Sequence, residues 1–433
     1  MFKTLKNAFQ VKEVRRKILL TLLFLLIYRI GCWLPIPGIN VNVFQEAVVN
    51  ESSGFLNLLS AISGGALSNG AFLALGVSPY ITASIVIQLL SVAIPALERI
   101  TREGTEESRK KISFYTRICA LVLSVAQATG IAVAYAGNVD MNILWAGAPQ
   151  WLGCVVIALV LTAGGMFTVW LGEKITEFGI GNGLSLLIFV GILSSAGTAL
   201  LSSVQNIAND INYIWTILIF LAGVIAIFGL IIFVDLAERK IPVNYAKQIK
   251  GRKMYGGQTS YIPIKVNSSG VMPIIFASAL LTFPQLLMSI FWKDALNWYS
   301  RYLGAGSWVY IVLSALLILA FAYFYSQITF NPEDVSKRIQ QNGGMINKIR
   351  PGKPTADYLK RISKRLTFIG AIYLAFIYLV PSLVFNAISG GANATLVNAF
   401  SATGLMIVVS TALETNKQLE AQLFMRNYRG FLK

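Results

Sequence analysis

The chain has 433 residues, of which 55% are hydrophobic and only 13% charged, and its mean hydropathy is +0.65. Soluble domains carry about 25% charged residues, so this composition excludes a soluble globular protein and implies repeated membrane crossing. The net charge of +17 leaves nucleic acid, anionic lipid or membrane topology as its meaning, while the lack of histidine removes the usual neutral-pH general base and the commonest metal ligand.

The first apolar run, Ile18 to Leu34, follows a basic stretch. It is too long for a signal-peptide core and leads into Pro35 and Pro37, not into a small-x-small cleavage site, so it reads as a retained first span. Nine more apolar segments follow, at roughly 71–95, 113–135, 151–172, 184–203, 212–234, 271–291, 307–330, 367–387 and 396–413. Cys32, Cys119 and Cys154 lie in or beside these runs, and their spacing suits neither a disulfide framework nor a zinc site.

Charge divides the connections. Of the 36 Lys and Arg, all but Arg29, Lys293 and Arg301 fall on one side, in the N-terminus, the C-terminus and every second connection, with Arg117 at the adjoining end of its span. Such a bias marks the cytoplasmic face, so both termini are expected there, with an even number of spans. The long connections 235–270 and 331–366 carry much of the basic excess.

On the opposite side lies "FLNLLSAISGGALSNG", residues 55–70. It begins like an apolar helix and breaks at Gly64-Gly65. It is too short to cross, and a short helix at that depth has to be buried in protein or to line a water-filled cavity.

Ten spans divide into five and five, an odd number per half, which puts any repeat in inverted topology. A trace of one is present. "GVSPYITAS" (76–84) opens the second span and "GVMPIIFAS" (270–278) the seventh, matching at six of nine positions. The spans are otherwise almost free of ionisable residues; Arg29 lies toward an end, where it can snorkel. That argues against a proton relay or a charged substrate site and for a pore closed by apolar side chains. "RPGKPT" (350–355) is no phosphate-binding loop, because Pro354 stands where Ser or Thr is required. No catalytic constellation, cofactor motif or metal-ligand set is present, so the chain is not expected to be an enzyme. An inverted-repeat secondary transporter for a small solute is the alternative; the empty membrane interior and the long basic connections weigh against it.

"PIPGI" (35–39), "SGGALS" (63–68), "PYITASIVIQLL" (79–90), "GIGNG" (179–183), "VNYAKQIKGRK" (243–253), "NP" (331–332) and "IRPGKPT" (349–355) together resemble the SecY family, the channel-forming subunit of the bacterial Sec protein translocase. The resemblance runs through the whole chain in order. It implies an all-α polytopic fold of ten transmembrane helices in two inverted pseudo-symmetric halves, 1–203 and 204–433. It implies a multi-pass protein of the bacterial cytoplasmic (inner) membrane that passes unfolded secretory polypeptides across the bilayer and releases membrane segments sideways into it.

The resemblance also implies roles for particular residues. The half-helix at about 55–67 is a plug, with Phe55, Leu56, Leu58, Leu59, Ile62, Gly64 and Gly65. Val77, Ile81, Leu184, Ile188, Ile275 and Ile407 form an apolar pore ring. Thr82, Ile85 and Phe283 flank a lateral gate between the second and seventh spans. Arg252, Lys253 and Arg350 dock the translocation ATPase SecA and the ribosome. The small membrane subunits SecE and SecG, signal sequences, nascent chains and the lipid bilayer complete the implied partners. Independently of the family, "GRKMYGGQTSYIPIK" (251–265) reads as a hairpin turning at Gly256-Gly257.

Overall fold

Backbone in hydrocarbon has to satisfy its own hydrogen bonds, so the long apolar runs wind into helices. The computed structural model describes residues 8–36, 63–103, 105–136, 150–207, 213–245, 248–250, 253–255, 259–291, 299, 302–303, 307–347, 349–389 and 400–430. In chain order these form α1 (Lys12–Gly31), α2 (Ser78–Ala93), α3 (Pro95–Glu103), α4 (Glu106–Ala136), α5 (Gln150–Phe178), α6 (Gly183–Ile207) and α7 (Tyr213–Leu236). Then come β1 (Glu238–Tyr245), β2 (Gln248–Lys250), β3 (Lys253–Tyr255), β4 (Thr259–Lys265), α8 (Met272–Phe291), α9 (Trp308–Thr329), α10 (Pro332–Gln341), β5 (Gly344–Ile346), α11 (Lys353–Ser389) and α12 (Ala402–Gly430).

Among the described residues, six helical stretches are long and apolar enough to cross a membrane, or seven if the bent pair α2–α3 counts as one span. α1, α8 and α12 cover the remaining expected segments. α1 opens on the polar KEVRRK, and the second half of α12 is polar, so neither is apolar throughout.

The chain divides into two compact units, one of residues 1–217, 279–310 and 389–433, the other of 218–278 and 311–388. In the first, α4 packs along α5 and against α2, and α6 packs against α5 and α12. Its core includes Ile36, Leu67, Leu75, Ile131, Ile157 and Leu161. Residues 71–77, expected as the start of the second span, are a chain of turns, and helix begins only at Ser78. Gly76 with φ +52° and Pro79 at the helix start set that boundary. The connection at 96–112 is not a loop but holds α3 and the start of α4. Ile94, before Pro95, is extended (φ −104°, ψ 113°), and the chain bends there by 107°.

The turn "GIGNG" between α5 and α6 is fastened to two other helices. The Ile180 N–H donates to Thr21 Oγ1 of α1 at 3.1 Å. A Cβ on Gly179 would lie 2.4 Å from that oxygen, and one on Gly181, at φ +89°, would lie 3.2 Å from Thr415 Oγ1 of α12. Ile180 is buried with Ala8, Val14 and Leu419.

In the second unit the two long basic connections fold together. β1 is the middle strand of a sheet in the order β4-β1-β5, antiparallel to both neighbours. Ile241, Val243, Ile264, Ile339, Ile346 and Leu359 close a core beneath it. The expected hairpin at 251–265 is therefore corrected. β3 pairs with β2, with Lys250 opposite Lys253, while β4 pairs with β1. Alternation in "QTSYIPIK" is satisfied by the long strand β1, which offers seven partners where β3 could offer three.

Candidate functional site

Residues 63–77 run through the first unit without helix, and they are mostly buried: Ser63 is 2% exposed, Ala66, Leu67, Ala71 and Leu73 are fully buried, and Val77 is 2% exposed. Non-helical backbone at membrane depth is tolerated only where protein or a cavity surrounds it. The hydrogen bonds are supplied locally. Phe72 N–H donates to Leu34 O and Ile36 N–H to Gly70 O, each at 2.9 Å, which pairs the turns with the end of the first span. Ala71 N–H donates to Ala66 O and Gly76 N–H to Leu73 O, also at 2.9 Å. A Cβ on Gly164 of α5 would fall 1.9 Å from Phe72 O, so α5 admits this backbone only through a glycine.

Gly64, Gly65 and Gly70 all have positive φ, at +73°, +80° and +56°, a backbone state that favours glycine. Arg29 Nη1 donates to Gly64 O at 3.0 Å, and its guanidinium lies 5.5 Å from the centre of the Trp33 ring. A Cβ on Gly64 would lie 3.0 Å from Arg29 Nη1 and 3.0 Å from Gly191 Cα of α6. Gly191 follows Leu184 and Ile188 at helical spacing, so the three share one face of α6. The end of the expected plug thus rests against the face that carries two expected ring residues. The remaining plug residues Phe55, Leu56, Leu58, Leu59 and Ile62 lie outside the described residues.

Of the other ring positions, Ile188 and Ile407 are buried, on α6 and on α12, which pack together. Leu184 is half-buried, and its side chain fills the space over Gly172 of α5. Ile81 is half-buried on α2, and Ile275 is half-buried on α8 within the second unit. Ile85 is 7% exposed. Thr82 turns its hydroxyl to Ser78 O at 3.1 Å. Phe283 lies within α8, and its side chain is outside the described residues.

The repeated motif keeps its local geometry. Gly76 and Gly270 both have positive φ, each lies two residues before its helix, and each helix has Pro as its second residue. Ile81 N–H donates to Val77 O at 3.1 Å, and Ile275 N–H to Val271 O at 3.3 Å. Ser84 Oγ donates to Ile81 O at 2.8 Å, and Ser278 Oγ to Ile275 O at 2.9 Å. The match therefore extends from residue identity to side-chain hydrogen bonding.

Arg350 is exposed in the turn before α11. Gly352 takes φ +99°, the Arg350 carbonyl accepts from Thr355 Oγ1 at 2.9 Å, and Ser336 Oγ donates to Gly352 O at 2.7 Å. The backbone thus holds the loop, and the guanidinium is spare. Beside it a groove of about 690 Å³ between α10 and α11 is lined by Lys337, Lys353, Lys360 and Lys364, with Glu333 and Asp357. Lys253 lies on β3, and its side chain, like all of Arg252, is outside the described residues.

Sequence reasoning missed Arg29 as a partner of Gly64, and Gly191. The signal for the first was visible: a lone arginine in an apolar run needs a partner.

The family model described as SecY matches residues 71–416. The protein translocase subunit SecY of Thermotoga maritima is 40% identical over 440 residues, spanning 100% of this chain and 98% of the relative. That of Streptomyces coelicolor is 40% identical over 444 residues, spanning 100% of both. Among solved structures, one described as a protein conducting channel aligns with a TM-score of 0.62 at 19% identity, covering 94% of this chain and 92% of the other. Sec61 in the canine ribosome–channel complex from the endoplasmic reticulum aligns with a TM-score of 0.58 at 18% identity, with the same coverage.

Proposed function

The chain belongs to the SecY family and is a protein translocase subunit, and from this premise we propose how it forms and closes the protein-conducting channel. Ten spans in two inverted halves, 1–203 and 204–433, enclose the path, and both termini face the cytoplasm. The plug at 55–67 fills the outer funnel, and Val77, Ile81, Leu184, Ile188, Ile275 and Ile407 form the constriction beneath it. An apolar constriction resists water and ions by dewetting, so it seals without a selectivity filter. α2 and α8 form the gate toward lipid, near Thr82, Ile85 and Phe283.

This arrangement sorts substrates by partition. Each Leu, Ile or Phe at a helix centre favours entry into lipid by about 0.3–0.6 kcal/mol, and each Lys, Arg or Asp opposes it by about 2.5–3.5 kcal/mol. An apolar signal or span leaves sideways, and a polar chain passes through. The chain supplies passage and not catalysis; energy comes from a partner. Arg252, Lys253 and Arg350, on the cytoplasmic side, receive SecA and the ribosome, and SecE and SecG accompany the channel in the cytoplasmic membrane.

The observation that carries this reading is the buried, hydrogen-bonded chain of turns at 63–77 against α6, in a chain about 40% identical to SecY along its whole length. The test is a photo-crosslinking residue at Ile81 or Ile275 in vesicles holding a stalled secretory chain. Adducts at both positions, and none at Phe233 (75% exposed on α7), are expected. No adduct at either ring position removes the pore assignment.

A further inference from the structure

We propose that Arg29 is a positioning residue for the resting seal, a latch from the first span that holds the hinge end of the plug; the inference rests on the plug reading above. Three observations converge on it. Arg29 Nη1 donates to the Gly64 carbonyl at 3.0 Å. Gly64 sits at φ +73°, in the left-handed region, and a Cβ there would meet both Arg29 Nη1 and Gly191 Cα at 3.0 Å. Tyr28 on α1 and Cys32 just beyond its end are buried, at 1% and 0% exposed, so this end of α1 is held firmly.

The geometry makes Gly64 a clamped point. On one side is a guanidinium from α1, on the other the backbone of α6, and neither leaves room for a side chain. Most of the plug lies N-terminal to Gly64, and the hydrogen-bonded chain of turns continues C-terminal to it. The clamp therefore fixes the end of the plug at one backbone point. A charged donor on a carbonyl makes a stronger bond than a neutral one, and in the otherwise apolar run around Arg29 the Cys32 thiol is a further polar group beside it. The latch is still releasable. It is a single bond, only partly buried, and the guanidinium keeps the face of Trp33 at 5.5 Å when the carbonyl leaves. An incoming signal sequence that draws the plug away has one charge-assisted bond to break, and the backbone at Gly64 and Gly65 needs no side-chain rearrangement to turn.

The experiment measures resting ion conductance in planar bilayers, per folded channel, for Arg29→Met, for a deletion of 56–62, and for both together. Arg29→Met keeps an unbranched apolar stem in the helix and removes both the charge and the donor. The latch predicts a several-fold rise for Arg29→Met, a rise for the deletion, and no further rise when the two are combined, because the latch acts through the plug. Arg29→Lys keeps the charge and loses the fork, so it gives a smaller rise, and it is the deciding variant if Arg29→Met does not accumulate. Wild-type conductance in folded Arg29→Met, beside a leaking deletion, overturns the latch and leaves the plug. An equal added rise in the deletion background also overturns it, since Arg29 would then act elsewhere. A deletion with wild-type conductance removes the plug reading and the latch together.

Discussion

Gly76 and Gly270 occupy the same backbone state, with φ of +52° and +62°, each two residues ahead of a helix whose second residue is proline. Neither is crowded. A Cβ on Gly76 would meet Tyr28 Oη at 3.7 Å and Ser63 at 3.8 Å, ordinary contacts, and one on Gly270 would meet nothing within 4 Å. The glycines are therefore required by backbone angle alone. Each single alanine substitution is expected to cost about 1–2 kcal/mol, the penalty for a left-handed residue with a side chain, and the two costs should match. Thermal unfolding in detergent reads this; a cost confined to Gly76→Ala would mean that the repeat is one of sequence only.

Deleting Leu56 to Ile62 should leave a folded protein with a leakier resting membrane. The chain from Ser63 onward keeps its own hydrogen bonds to Leu34, Ile36 and the local turns, so these survive the deletion. Unchanged conductance in a protein of normal stability would count against the plug.

Ile81→Asn combined with Ile275→Asn should raise leak several-fold and admit precursors with weak signal sequences. An amide in a dewetted constriction stabilises water there and lowers the free energy of the open state. The same change at Leu218 and Leu316, which are 51% and 57% exposed, is the control. Equal leak from the control pair would leave the ring without a special role.

Arg350→Glu should abolish ATPase-driven transport of a precursor into vesicles, and Arg350→Lys should weaken it, with equal amounts of folded protein in each case. The loop owes its shape to Gly352 and to the hydroxyls of Thr355 and Ser336, not to the guanidinium. A docking contact needs the planar fork of arginine, whereas a topology signal needs only charge. Wild-type transport by Arg350→Glu would reduce the loop to a topology signal.

Cysteines placed at Asn40, Asn138 and Asn393 should react with an impermeant reagent from outside, and one at Gln248 should not. Protection of any two of the first three would overturn the span assignment, because charge bias puts all three on the side opposite the termini.

Long apolar runs are legible as helices because helix satisfies its own backbone in lipid, and Gly64, Gly65 and Gly70 are legible as breaks because they end a run too short to cross. The sheet of β4, β1 and β5 is not. β5 is three residues, "GMI", with no alternation to read, and its partner β1 lies far back in the chain. The same distance misdirects the hairpin reading: Gly256-Gly257 is a strong local turn signal, yet β4 finds a longer partner in β1 than in β3. Arg29 shows the opposite failure. Its charge is plain in the sequence and reads as snorkelling, because nothing local announces that Gly64 offers it a carbonyl.

The middle position of β1 has a consequence for synthesis. β4 starts at Thr259, soon after β1 ends at Tyr245, and covers one edge early, but the other edge, Val243 to Tyr245, waits for Gly344 to Ile346. Those residues emerge roughly a hundred positions later, after two more hydrophobic helices, which at about 5–20 residues/s is a delay of roughly five to twenty seconds. During that interval the half-made protein shows an open strand edge, a template for wrong pairing and a handle for proteases. A chain halted in this window carries a visible mark of incompleteness, and closure of the edge by β5 is the step that removes it.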